Sequence, residues 1–205
     1  MNNRTHESYG QKQLTFVDHF GVWLTQRAIA RELSGRSDLD VLELGCGYRA
    51  AHLRALDSHF RRAIGVDFQI APELASDPRM TFHLGSIEEA LPRLAGDAFD
   101  VVLLVSVLEH LRQPEEVMAA IRNLLKPSGI LLINVPTWRG KSWLEFSAFR
   151  LGLSPRLEID DHKMYYDKRD LWPLLVRAGF KPSAIKLRYH KFGLNLFAVA
   201  TRNDG

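Results

Sequence analysis

Short apolar runs separated by polar turns recur along the chain. Residues 41–44, 63–67, 80–84, 99–105 and 130–135 read as strands, and the unbroken run Phe99–Val105 is the most apolar of them. Such continuity belongs to parallel strands covered on both faces. Between the strands the spacing turns helical. Residues 49–56 read as a helix, 71–76 as a short Pro-containing one, and the turn at 85–88 leads into another. In 114–125, Val117, Ile121, Leu124 and Leu125 share one face, Glu115 and Glu116 favour the positive end, and Lys126-Pro127-Ser128-Gly129 is the stop. Ahead of the first strand, Leu14, Val17, Phe20, Leu24 and Ile29 sit broadly at helical spacing, predicting one or two helices that end at Ser34-Gly35. Residues 1–13 read as loose or as a flexible lid. Near the end, Asp167 or Asp170 caps a helix lined by Leu171, Leu174, Leu175 and Ala178. If Asp170 is the cap, Pro173 falls in the first turn, where no N–H is needed. Residues 184–189 and 194–201, around Gly193, then read as an antiparallel pair. The pattern is α/β, with a mostly parallel sheet ending in a hairpin.

Candidate chemistry gathers at Val41-Leu42-Glu43-Leu44-Gly45-Cys46-Gly47. A buried strand runs into two glycines that let the chain turn sharply and expose bare N–H groups, and a helix follows. Asp67 ends the next strand, 20 residues beyond Gly47, about where a carboxylate accepts hydrogen bonds from ribose hydroxyls. Together they point to an adenosine-containing ligand. Gly45-Cys46-Gly47-Tyr48-Arg49-Ala50 also satisfies the dinucleotide pattern G-x-G-x-x-G/A. Glu43 argues against NAD, because an acid there repels a pyrophosphate and attracts a ligand carrying an ammonium and a sulfonium.

At these residues the sequence resembles the class I S-adenosylmethionine (SAM)-dependent methyltransferases. Their first motif is similar to residues 41–47 and their second to Ile64-Gly65-Val66-Asp67; Arg49 stands where the family commonly has a third glycine. The resemblance implies a doubly wound, seven-stranded, Rossmann-like sheet with a C-terminal antiparallel hairpin, a mark that NAD domains usually lack. It also implies a cofactor set of Glu43, Gly45, Cys46, Gly47, Asp67, Phe68, Gly85, Ser86, Ile87 and Val105. Ser86 replaces the acid that commonly meets the adenine amino group, so adenine would be read by backbone groups at Ser86 and Ile87. The run from Phe99 through Leu108-Glu109-His110 resembles the fourth motif of the small-molecule members. No Asn/Asp-Pro-Pro-Tyr element of the nucleic-acid amino methylases occurs. His110, at the carboxyl edge, is the first candidate for a base, with a structural role or a contact to the cofactor carboxylate as alternatives. His162, beside Asp161, is the second. Glu109 and His110 alone make no metal site, so no metal is expected.

The resemblance divides a single domain into an N-terminal helical cover (1–37), a cofactor-binding core (38–136), an acceptor-site insertion or lid (137–166), and the last helix and hairpin (167–205). In the insertion, Trp138, Trp143, Phe146 and Phe149 interleave with Arg139, Lys141, Arg150 and Arg156, which suits an acceptor site or a peripheral membrane contact over 137–156. Composition narrows the class. A formal net charge of +3 with scattered basic residues does not argue for nucleic acid. One cysteine permits no internal disulfide, and with no signal-peptide core in residues 1–13 it suits the cytoplasm. The expectation is methyl transfer to a small-molecule or lipid/glycan-like acceptor, most readily at oxygen, releasing S-adenosylhomocysteine (SAH). The alternatives are an inactive binding or assembly subunit and, third, an NAD-dependent oxidoreductase.

Overall fold

The computed structural model describes residues 8–11, 15–141 and 164–203. Its strands β1 (Leu39–Leu44), β2 (Phe60–Asp67), β3 (Met80–Leu84), β4 (Phe99–Val105), β5 (Leu125–Pro136), β6 (Ile185–His190) and β7 (Asn195–Thr201) form one mixed seven-stranded sheet, in the order β3-β2-β1-β4-β5-β7-β6. The order reverses at β1, which places the carboxyl end of β1 at a topological switch point, where open α/β sheets hold their ligands. The Cα trace divides into two compact units, Met1–Leu103 and Leu104–Gly205.

In the first unit, all six residues of β1 (Leu39–Leu44) are buried, two acids included. β2 (Phe60–Asp67) buries Ala63, Ile64, Gly65 and Val66 and pairs in parallel with β1, setting Glu43 beside Gly65 and Leu44 beside Val66. β3 (Met80–Leu84) continues the parallel run, with Asp67 beside Leu84. β4 spans Phe99–Val105, as the apolar pattern predicts. Asp40, 4% exposed, is held by the guanidinium groups of Arg61 at 2.8 Å and Arg62 at 3.3 Å, which offset the cost of burying its charge.

The helices of this unit depart further from the pattern. α1 (Phe16–Glu32) is one helix, started by a reciprocal cap in which Thr15 Oγ1 accepts the Asp18 N–H and Asp18 accepts the Thr15 N–H. Its buried residues are Thr25, Ala28 and Ile29, whereas Val17 and Phe20 are exposed. The apolar stripe read from spacing is therefore not one packed face; only the second half of the helix is buried. α2 shrinks to Ala51–Ala55, because Gly45 to Ala50 are all spent on the turn after β1 and Ala50 itself is left-handed, at φ 44°. The Pro-containing segment is a 3₁₀ turn, Pro72–Ser76, and α3 covers Ile87–Arg93.

In the second unit, α4 (Pro114–Leu124) runs straight into β5 (Leu125–Pro136), which begins before the expected stop signal has passed. The stop residues join the strand because the Ser128 N–H donates to the Arg202 carbonyl at 2.8 Å and the Arg202 N–H to the Gly129 carbonyl at 2.9 Å. α5 (Lys168–Arg177) starts after Asp167, whose N–H donates to the Asp170 carboxylate at 2.8 Å. Asp170 thus sits within the first turn, and Pro173 lies inside the helix at the loss of one hydrogen bond. β6 (Ile185–His190) and β7 (Asn195–Thr201) are antiparallel, and β7 also pairs antiparallel with β5 from Ile130↔Thr201 to Pro136↔Asn195. The terminal hairpin is present, with its second strand inserted next to β5.

Candidate active site

The first unit builds a cradle at the carboxyl ends of β1 and β2. Gly45 and Gly47 adopt φ of 74° and 73°, a region open to glycine without steric cost. The Gly45 and Cys46 N–H groups donate to the Val66 carbonyl at 2.8 and 3.1 Å, tying the loop to β2. The Gly47 N–H donates to Asp67 Oδ2 at 2.7 Å. The glycine pair and the acid 20 residues later, read from sequence as two halves of one site, are thus in direct contact. Phe68, exposed and next in the chain, donates its N–H to Asp67 Oδ1 at 2.8 Å.

Residues 8–11 lie across the cradle, and this crossing has no counterpart in the hydrophobic pattern. The Ser8 hydroxyl donates to Asp67 Oδ1 and accepts the Gln69 N–H at 2.8 Å. The Tyr9 carbonyl accepts the Tyr48 N–H at 2.8 Å, and Gln11 Nε2 donates to Gln69 Oε1 at 2.8 Å. A Cβ on Gly47 would stand 3.0 Å from the Tyr9 carbonyl, so the second glycine also admits this close crossing.

Glu43 is fully buried. His52 Nδ1 lies 2.9 Å from its Oε1, leaving Oε2 and His52 Nε2 buried with no hydrogen-bond partner. Burial pushes the Glu43 carboxyl above its ordinary range, and it outweighs the opposing effect of His52; the Asp67 charge pushes the same way. Glu43 is therefore an interior partner of α2 rather than an open carboxylate for a ligand ammonium. Cys46 is buried, and burial, then the charges of Glu43 and Asp67, hold its thiol far above the usual range, which leaves it inert as a nucleophile.

Gly85 donates its N–H to the Asp67 carbonyl at 3.1 Å, which brings the 85–87 segment to the same cradle. Ser86 is the N-cap of α3: its hydroxyl accepts the Glu89 N–H at 3.2 Å, and its own N–H donates to Glu89 Oε2 at 3.2 Å. The Ser86 groups expected to meet adenine serve the cap, and Ile87 is the first residue of the helix. The residues present fit an adenosyl group at one point above all, the partly exposed Asp67; the loop N–H groups expected to be bare are bonded within the protein, those of Gly45 and Cys46 to Val66 and that of Gly47 to Asp67.

In the second unit, Val105 is half-buried at the end of β4, and Ser106, at φ 53°, donates its N–H to the Asn134 carbonyl at 2.8 Å. A 3₁₀ turn, Leu108–His110, follows. It turns Glu109 inward, to 1% exposure, and leaves His110 half-buried. Neither Glu109 oxygen has a hydrogen-bond partner, and burial pushes the carboxyl up to about 8 against the opposing pull of a backbone N–H and the Lys191 charge. Burial, with the charges of Glu109, Glu115 and Asp170, pushes the Tyr166 phenol up to about 12. Asn134 is likewise buried with both side-chain polar atoms unpartnered. This interior polar group was missed from sequence, where Glu109 stood only as the neighbour of His110.

Two ends of the expected acceptor segment are described. Thr137 Oγ1 donates to the Gly193 carbonyl at 2.8 Å and accepts the Gly140 N–H at 3.0 Å; the Tyr166 N–H donates to the Pro136 carbonyl at 3.1 Å. The Trp138 and Tyr165 rings are 5.6 Å apart, with Lys141 Nζ 5.7 Å from each. The segment leaves and rejoins the fold at the carboxyl end of β5. His162, Asp161, Trp143, Phe146, Phe149, Arg150 and Arg156 lie outside the described residues. Among the described residues no group of three or more His, Cys, Asp or Glu could hold a metal ion, and no helix is long and apolar enough to cross a membrane.

A family profile described as "Methyltransferase domain" matches residues 20–185. A ubiquinone biosynthesis O-methyltransferase from Escherichia coli O127:H6 is 30% identical over 127 residues, covering 57% of this chain and 50% of the relative. The chain thus aligns with only half the length of that relative. Among solved structures, magnesium protoporphyrin IX methyltransferase from Synechocystis PCC 6803, with bound SAH, is similar at a TM-score of 0.66 and 20% identity, covering 95% of this chain and 91% of that one. The complex between the Haloferax volcanii Trm112 methyltransferase activator and a methyltransferase gives 0.70 at 15% identity, covering 90% and 92%. These likenesses speak for the fold. The profile, spanning most of the chain, together with the sheet order and terminal hairpin, establishes that the chain belongs to the class I SAM-dependent methyltransferase family.

Proposed function

We propose that this chain binds SAM at the β1–β2 cradle and transfers its methyl group to a small-molecule or lipid/glycan-like acceptor, at oxygen. The observation that carries the cofactor half is the bond from the Gly47 N–H to Asp67 Oδ2, which joins the glycine turn to the acid suited to ribose. Asp67 holds the ribose; Gly45, Cys46 and Gly47 shape the turn beside it; Phe68, Gly85, Ser86 and Ile87 contribute to the walls. Glu43, paired with His52, acts from the interior by fixing the loop to α2. When bound, the cofactor supplies an activated methyl group on a sulfonium, so the protein's main task is alignment, worth effective molarities on the order of 10⁵ M or more.

The choice of oxygen is supported by the name of the Escherichia coli relative, an O-methyltransferase. An oxygen acceptor gains from a base, and His110 is the candidate in the described part of the chain: it is half-buried, whereas Glu109 is enclosed and keeps its proton at neutral pH. His162 is the second candidate. Residues 137–166 form the acceptor site or its cover; supporting this, the segment leaves and rejoins at the carboxyl end of β5, with Lys141 against two aromatic rings. A peripheral membrane contact over 137–156 and a cytoplasmic setting belong to the same reading. Calorimetry with SAH, followed by a radiolabelled methyl-transfer assay over phenol, lipid and glycan acceptors, tests it. Binding of NADH with no response to SAH would sink the cofactor assignment, and SAH binding with no turnover on any acceptor would favour a binding or assembly subunit.

A further inference from the structure

Asp67 is surrounded like a residue already holding a ligand hydroxyl. Its Oδ2 accepts the Gly47 N–H at 2.7 Å, and its Oδ1 accepts both the Phe68 N–H at 2.8 Å and the Ser8 hydroxyl. An ionised carboxylate offers about four acceptor positions. Three are taken by the protein, and a ribose presents two adjacent hydroxyls. Two of the three donors are fixed. Gly47 belongs to a loop whose Gly45 and Cys46 N–H groups are bonded to Val66, and the Phe68 N–H is on the residue directly after Asp67. Ser8 alone is carried by a separate segment, 59 residues away in the chain.

That segment is held by polar contacts. Ser8 is 6% exposed and accepts the Gln69 N–H; the Tyr9 carbonyl accepts the Tyr48 N–H; Gln11 donates to Gln69. The Gln11 N–H closes back on the Ser8 carbonyl at 3.2 Å across Gly10, at φ 82°. No apolar side chain within 8–11 is buried: Tyr9, the one large hydrophobic there, is 52% exposed. Tyr9 and Gln11 are exposed, so the bonds at that end of the strap can exchange with water, and the buried Ser8 hydroxyl yields its place on Asp67 to a ligand hydroxyl only when the strap opens.

We propose that Ser8 is a cofactor-site residue: its hydroxyl occupies on Asp67 the place of one ribose hydroxyl, and the arriving ribose displaces it and lifts the 8–11 strap from Tyr48. This rests on the adenosyl reading of Asp67 given above. The strap and the cofactor then compete for one carboxylate oxygen. Ser8 thereby sets cofactor affinity without being needed to build the site, and the product SAH leaves into a site that the strap can reclose.

Calorimetry on the full chain tests the competition. Wild type should bind SAH and Asp67→Ala should lose most of that affinity, which establishes the underlying reading. Ser8→Ala should then bind SAH about two- to tenfold more tightly, the scale of one net hydrogen bond. Hydrogen exchange on the unmutated protein supplies a second readout: saturating SAH should reduce protection of the Tyr48 N–H, whose acceptor is on the strap. Normal SAH binding by wild type, with equal or weaker binding by Ser8→Ala, overturns the competition. Increased Tyr48 protection overturns it too, because the strap would then be closing over the ligand. A wild type that binds no SAH overturns the adenosyl reading instead, and the displacement falls with it.

Discussion

Glu109 offers a direct test of the electrostatics in the second unit. Its ordinary carboxyl value is 4.5, and burial raises it to about 8 in the folded chain, with both oxygens unpartnered. Between those values the folded chain keeps a proton that the unfolded chain has lost. Stability is therefore greatest below about pH 4.5, declines as pH rises toward about 8, and levels off beyond. At about 1.36 kcal/mol per unit, the single group removes about 2–3 kcal/mol between about pH 5 and about pH 7, and about 4 kcal/mol by about pH 9. Glu109→Gln has nearly the same shape and no charge to lose. Its buried amide adds an unsatisfied donor, costing about 1–3 kcal/mol at every pH, which offsets the curve without changing its slope. Urea unfolding of both proteins, followed by far-ultraviolet circular dichroism at about pH 5, 7 and 9, isolates the group, because all other titrations cancel in the difference. The stability of Glu109→Gln relative to wild type should rise by about 4 kcal/mol across that range. A difference that stays flat within about 0.5 kcal/mol would show Glu109 ionised and solvated in the folded chain, and would refute the argument.

Asp67→Ala should weaken SAH binding by about 1.5–3 kcal/mol, the worth of charge-assisted bonds, with a far-ultraviolet spectrum like that of wild type; unchanged calorimetric affinity would remove Asp67 from the cofactor site. His110→Ala should lower turnover by about 10²–10⁴-fold while sparing SAH affinity, and equal losses in both would make His110 a cofactor contact rather than a base. Gly65→Ala should cost about 1–3 kcal/mol by overpacking in urea titration. The added Cβ would stand 2.7 Å from the Phe82 ring and 2.9 Å from Cys46 Sγ, and a neutral result would mean that the ring moves freely. Gly140→Ala should be at least as harmful, since its Cβ would meet the Leu194 backbone oxygen at 2.2 Å; thermal melting checks this.

Local patterning alone marked the strands, while their order came from the structure. An apolar run too continuous for a half-exposed strand predicted β4, a short apolar run ending in glycines predicted the end of β1, and the helical spacing of Val117, Ile121 and Leu124 predicted α4, because burial on both faces or one face leaves its period in the sequence. The cradle was legible for a similar reason. Gly45 and Gly47 each meet a local backbone requirement, Asp67 ends the next strand, and their spacing is the length of one helix crossover. What only the tertiary structure decided lies in contacts with no period. Ser8 meets Asp67 across 59 residues, and nothing local in a polar N-terminus marks that hydroxyl. Glu43 found His52 rather than an open cleft, and Ser86 went to a helix cap, because neighbouring elements supplied partners for buried or orphaned polar groups. Adjacent in sequence, Glu109 and His110 were separated by a single 3₁₀ turn into an enclosed, protonated acid and a half-buried imidazole. Side-chain type names the chemistry a residue is capable of; the solvent and charges left around it by packing decide which of those states it holds.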